Sequence, residues 1–115
     1  MANYSAQSPS LAGLNPTFNA AAGGGDSFDN NGKQLVEFVN GSGAGITVTF
    51  DSPNPDNFGI TDNVHDVAIS IPAAGRRIFG PFPIGRFNDA NSRVQMTYSG
   101  VTSLTFAVIN ALQAS

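Results

Sequence analysis

The chain has 115 residues, a net charge of -3 and no cysteine, and only 11% of its residues are charged against about 25% in a typical domain. That length fits one domain with a core of its own. The absence of cysteine excludes disulfides and thiolate chemistry, and an acidic balance with few cations excludes phosphate-backbone binding, so no nucleic acid is expected as partner.

No segment reaches the roughly 20 apolar residues of a membrane-spanning helix. The N-terminus also lacks the basic start and apolar core of a signal peptide. The expectation is a protein made in a cytoplasm, with no membrane partner, and kept there or exported by a route the sequence does not display.

Residues 1–25 carry no charged side chain, are punctuated by Pro9 and Pro16, and show no hydrophobic period. Tyr4, Leu11, Leu14 and Phe18 are spaced along them as apolar anchors. The stretch therefore reads as an extended or disordered N-terminal arm that orders when laid on a partner. Ala20 to Ala22 followed by Gly23 to Gly25 reads as a flexible hinge, which starts the folded domain near Asp26.

The run from Lys33 to Val39, KQLVEFV, is rich in β-formers and ends at Asn40-Gly41, a dipeptide suited to tight turns. Ile46, Val48 and Phe50 alternate with Thr47 and Thr49 in the next strand. The two are expected to pair as a hairpin. Residues 51–65 hold Pro53, Pro55 and Gly59 and read as a long irregular loop with Phe58 as a contact residue or plug. Asp51, Asp56, Asp62 and Asp66 match no EF-hand spacing, so no metal is assigned to them.

A third strand follows at Val67, Ile69 and Ile71, and a fourth at Arg76 to Phe79. Gly80-Pro81-Phe82-Pro83 excludes a central strand, since neither proline can donate to a ladder. Four of the five cations, Arg76, Arg77, Arg86 and Arg93, fall between Pro72 and Ser99, interleaved with Phe79, Phe82 and Phe87. Aromatics with arginines are the composition of a contact surface. Arg76, Arg77, Phe79, Phe82, Arg86 and Phe87 are therefore expected to touch a sister subunit or another protein, although the three phenylalanines serve equally well to close one end of a β core. Val94, Met96 and Tyr98, then Leu104, Phe106 and Val108, mark two last inward-facing strands, expected as a second hairpin with Thr105 and Ala107 outside.

The fold class that results is all-β: a single small antiparallel β-sandwich or barrel-like domain over residues 26–111, with the arm at 1–25 and a frayed end at 112–115. Catalytic sets are missing. His65 is the only histidine, no G-x-S-x-G occurs, and no phosphate-binding loop is present. No catalytic residue and no cofactor is assigned. A carbohydrate-binding β-sandwich is an alternative, weakened by the lack of tryptophan.

The strings Asn40 to Thr49 (NGSGAGITVT), Gly80 to Pro83 (GPFP), Phe87 to Ala90 (FNDA), Val94 to Ser99 (VQMTYS) and Val101 to Thr105 (VTSLT) give the chain a likeness. It resembles the small capsid decoration, or cement, proteins of tailed bacteriophages over roughly Asp26 to Ala111. The resemblance implies a β-rich protein that binds the outer surface of a shell of HK97-type major capsid proteins, as a homo-oligomer (dimer or trimer), and so resides on the virion. It implies no catalytic residue. A tail, connector or fibre component shares the same fold and composition.

Overall fold

The computed structural model describes residues 2–52 and 66–110. Among these residues nine strands and one short helix run in the order β1 (Ala2–Tyr4), β2 (Asn19–Ala20), β3 (Asp26–Asp29), β4 (Gln34–Asn40), β5 (Ile46–Phe50), β6 (Val67–Ile71), β7 (Arg76–Phe79), α1 (Ile84–Phe87), β8 (Arg93–Tyr98) and β9 (Leu104–Asn110). They form a five-stranded sheet, β1-β3-β8-β5-β6, packed on a four-stranded sheet, β2-β9-β4-β7. Every pairing is antiparallel except β1 with β3. The all-β sandwich expected from the strand pattern is the fold observed.

Alternation decides which side chains meet between the sheets. Ile46, Val48 and Phe50 of β5 and Val94 and Met96 of β8 are buried against Val36 and Phe38 of β4 and Leu104, Phe106 and Val108 of β9. Phe38 lies at the centre of the aromatic packing, with ring centroids 5.5 Å from Phe106, 5.9 Å from Phe79, 5.9 Å from Tyr98 and 6.4 Å from Phe50. Ala107 points away from this core as expected, yet its small side chain is fully covered.

Neither expected hairpin forms. β4 and β5 lie in different sheets, as do β8 and β9, and the short loops between them cross from one sheet to the other. Asn40 shows why Asn40-Gly41 does not act as a hairpin turn. Its buried side-chain amide donates to the carbonyls of Ala44 (2.8 Å), Ile71 (3.1 Å) and Pro72 (3.2 Å), and its Oδ1 accepts from the Ser42 amide and hydroxyl. The residue pins three chain segments at the rim of the sandwich, and satisfying those otherwise orphaned groups outweighs local turn propensity.

The arm also departs from expectation, because it is laid on its own domain. β1 adds to β3 in one sheet and β2 adds to β9 in the other. Tyr4 and Ala6 pack against the core, and Ala21 is buried in it. The supposed hinge is a turn closed by the Gly25 amide on the Ala22 carbonyl at 2.9 Å. Of its three glycines only Gly25 is required: its φ is +97°, and a Cβ there would lie 2.6 Å from the Met96 carbonyl oxygen.

β7 ends at Phe79, and from Gly80 the chain leaves the sheet through the two prolines and enters α1. A Cβ at Gly80, whose φ is +120°, would meet the Gln34 carbonyl oxygen at 2.6 Å, so the chain turns inward there only with glycine. That inward turn places Phe82 between Phe50 (4.9 Å) and Phe28 (5.3 Å). The loop residues Phe58, Asp56, Asp62 and His65 lie outside the described residues, whereas Asp66 accepts the Ser52 amide at 2.8 Å. Among the described residues no helix is long and apolar enough to cross a membrane.

Candidate interaction surface

The two lateral sides of the sandwich are finished differently. On one side the arm covers both sheet edges. Asn3 donates to Asp29 at 3.0 Å and accepts from the Ser27 hydroxyl at 2.9 Å, and Ser5 donates to Asp29 at 3.2 Å. Further along, the Gln7 amide bonds the Val108 carbonyl, and the Asn110 amide bonds Gln7 in return. The Gln7 side chain then holds the Thr17 backbone through both its groups, at 3.0 and 2.8 Å, closing the loop between them. The hydrogen bond from Asn3, aided by Ser5 and the Arg93 charge, holds the Asp29 carboxyl below its ordinary range against a smaller opposing effect of burial.

These contacts sort the four arm anchors. The Tyr4 ring meets Phe106 edge-on with centroids 5.0 Å apart, and Leu14 and Phe18 are half-buried. Leu11 stands fully exposed at the tip of a turn closed by the Gly13 amide on Ser10.

On the opposite side the outer strands are β6 and β7, each paired on one flank only among the described residues. The Asn40 amide bonds the Gly75 carbonyl at 2.9 Å and so sets the phase of the β4–β7 ladder. Gly75, Arg77 and Phe79 turn their backbone groups to β4, while Arg76 and Ile78 turn theirs outward.

The six residues expected at a contact do not form one patch. Phe82 and Phe87 are 4% and 6% exposed and belong to the core, and Phe79 packs inward on Phe50 at 5.2 Å. Their burial corrects the expectation for the aromatics and follows from the inward turn at Gly80. The arginines stay outside. Arg76 pairs with Glu37 across the ladder. Arg77 donates to the Arg76 carbonyl at 2.7 Å and meets no carboxylate among the described residues. Arg86 lies over the Phe87 ring, 4.8 Å from its centroid.

Ile78 was not among the expected contacts, yet it is 64% exposed. The registers place it beside Glu37, with Leu35, Val39 and Ile109 on the same outward face of the four-stranded sheet. That face is largely apolar. The outward face of the five-stranded sheet carries Ser27, Thr47, Thr49, Gln95 and Thr97 instead. The signal was legible in β4, where Leu35 and Val39 occupy the alternate positions that a solvated face gives to polar residues.

A hollow of about 390 Å³ between residues 42–46 and 99–102 is lined by backbone, small side chains and Ile46, with no ionisable group. Among the described residues no three His, Asp or Glu side chains are grouped to hold a metal ion. No known protein family matches the chain, and no curated protein or solved structure matches it either.

Proposed function

We propose that the chain is a structural virion protein that decorates the outside of an icosahedral phage head and stabilises it, with the major capsid protein and its own copies as partners. The observation that carries this reading is the side of the sandwich that no other described residue covers. There the exposed edge of β7, with Arg76, Arg77 and Ile78, adjoins a largely apolar sheet face. Such a margin suits docking on protein, and the low charge of the whole chain supports the same reading. A cement protein stabilises by mass action, since it binds the assembled shell and not its separated parts. Individually weak contacts suffice when many copies are linked.

A tail, connector or fibre component would share the fold and composition, and copy number separates it from a protein of the head. Gel densitometry of purified virions tests that choice. A copy number comparable to that of the major capsid protein is the expected result, and about a dozen copies or fewer would assign the chain to a connector or tail instead.

A further inference from the structure

The arm covers the edges of β3 and β9 with uncharged chain, while β7 on the other side presents backbone groups that nothing described covers. The outward groups are the amides of Arg76 and Ile78 and the Ile78 carbonyl. The fourth, the Arg76 carbonyl, accepts from the guanidinium of Arg77, an exposed side chain. An edge of this kind is the template for strand addition.

We propose that β7 accepts a short extended segment of another protein in which acidic and apolar residues alternate, so that the four-stranded sheet gains a fifth strand. The period of two puts successive side chains of the added strand on opposite faces. Those on the outward face would lie beside Ile78 and extend the apolar surface of Leu35 and Val39. Those on the other face would lie beside Arg77, whose charge has no carboxylate among the described residues, and there an aspartate or glutamate complements it. Gly80, Pro81 and Pro83 end the ladder, which confines pairing to a few residues and fixes its register.

A second copy of this chain is the weaker occupant. An antiparallel two-fold pairing that uses all the outward groups of Arg76 and Ile78 sets Arg77 directly against its own mate, and like charges so placed repel. The inference rests on the reading of the chain as a protein that docks on a shell, and it adds the chemistry of the segment that the shell supplies.

The test uses the full chain with two labelled hexapeptides, one alternating aspartate and valine and one alternating lysine and valine, in fluorescence polarisation. Saturable binding of the acidic peptide is expected, with amide exchange slowed at Ile78. Arg77→Glu is expected to weaken that binding by about tenfold or more, the equivalent of 1.4 kcal/mol, with Arg77→Gln as a milder second variant. Equal binding of the two peptides, or Arg77→Glu and Arg77→Gln proteins that bind the acidic peptide as wild type does, would overturn the proposal. Protection of Ile78 in the free protein together with a dimer in light scattering would assign the edge to a second copy and overturn it too. Undecorated heads separate the two readings. Wild type that binds heads alongside an equally effective Arg77→Glu protein defeats the strand site alone, whereas wild type that binds the acidic peptide but no heads defeats the shell reading alone.

Discussion

The rings of Phe82 and Phe87 meet edge to face, with centroids 5.5 Å apart and planes at 89°. Both are buried, so a segment whose composition suggests a contact surface contributes these aromatics to the core and its arginines, with Ile78, to the outside. Phe82→Ala removes a ring that touches Phe28, Phe50 and Phe87 at once. It is expected to destabilise the fold by about 3–5 kcal/mol in chemical denaturation, whereas a loss below about 1 kcal/mol would return the side chain to the surface.

Ile78 and Phe79 are neighbours on opposite faces of β7, so their substitutions should part company. Ile78→Ser is expected to leave the melting temperature nearly unchanged, and Phe79→Ala to lower it clearly, since only Phe79 packs on Phe38 and Phe50. Calorimetry of the two variants side by side checks this, and equal losses would contradict the assignment of faces.

The arm is expected to stabilise the domain that it covers. Tyr4→Ala deletes the ring set edge-on to Phe106 and should cost about 2 kcal/mol, or a fall of several degrees in the melting temperature. Deleting residues 1–20 should cost more, because the edges of β3 and β9 lose their partners. A truncated protein that melts as the full chain does would make the arm a mere passenger.

Within the turn that joins arm to domain, Gly25→Ala should destabilise by more than about 1 kcal/mol through its positive φ and the close Met96 carbonyl. Gly23→Ala and Gly24→Ala meet open space and should be tolerated. Urea titrations of the three variants provide the comparison, and similar midpoints for all three would show that the turn is not built as described.

How much of this was legible in the sequence follows from which interactions are local. The strands from β4 to β9 are visible because alternation is a property of consecutive residues, and Ile46, Val48, Phe50, Val94 and Met96 face inward as their spacing requires. Strand pairing was not legible. Asn40-Gly41 carries a hairpin signal, but the side chain of Asn40 bonds Ile71 and Pro72, residues about thirty positions away, and the chain crosses between sheets there. β3 was missed because Asp26 and Ser27 are buried polar residues held by distant partners: the Tyr98 hydroxyl donates to Asp26 at 2.9 Å, and Ser27 bonds Asn3. The arginines of the candidate surface were found from composition, whereas Ile78 required knowing which face of the sheet is covered.

Acid should weaken the fold in a defined window. Partial burial pushes the Asp89 carboxyl up, but the hydrogen bonds from Gln95, Asn91 and Arg93 and the Arg93 charge outweigh it and hold it below its ordinary value, as Asn3 does for Asp29. A carboxyl whose folded pKa is depressed contributes stability above its unfolded value of 3.8, and loses it as pH falls through the folded one. Melting temperatures are therefore expected to hold from neutral pH to about 5 and to fall below about 4. Asp89→Asn should flatten part of that fall, and an unchanged acid limb would remove Asp89 from the explanation.

The claim that the β7 side of the sandwich meets a shell is tested most directly by co-sedimentation with undecorated heads, comparing wild type with Arg77→Glu. The account predicts that wild type pellets saturably, at a ratio to the major capsid protein like that found in virions, and that Arg77→Glu, folded and melting normally, stays in the supernatant. A wild-type protein that pellets with heads no more than an unrelated β-sandwich does would contradict it.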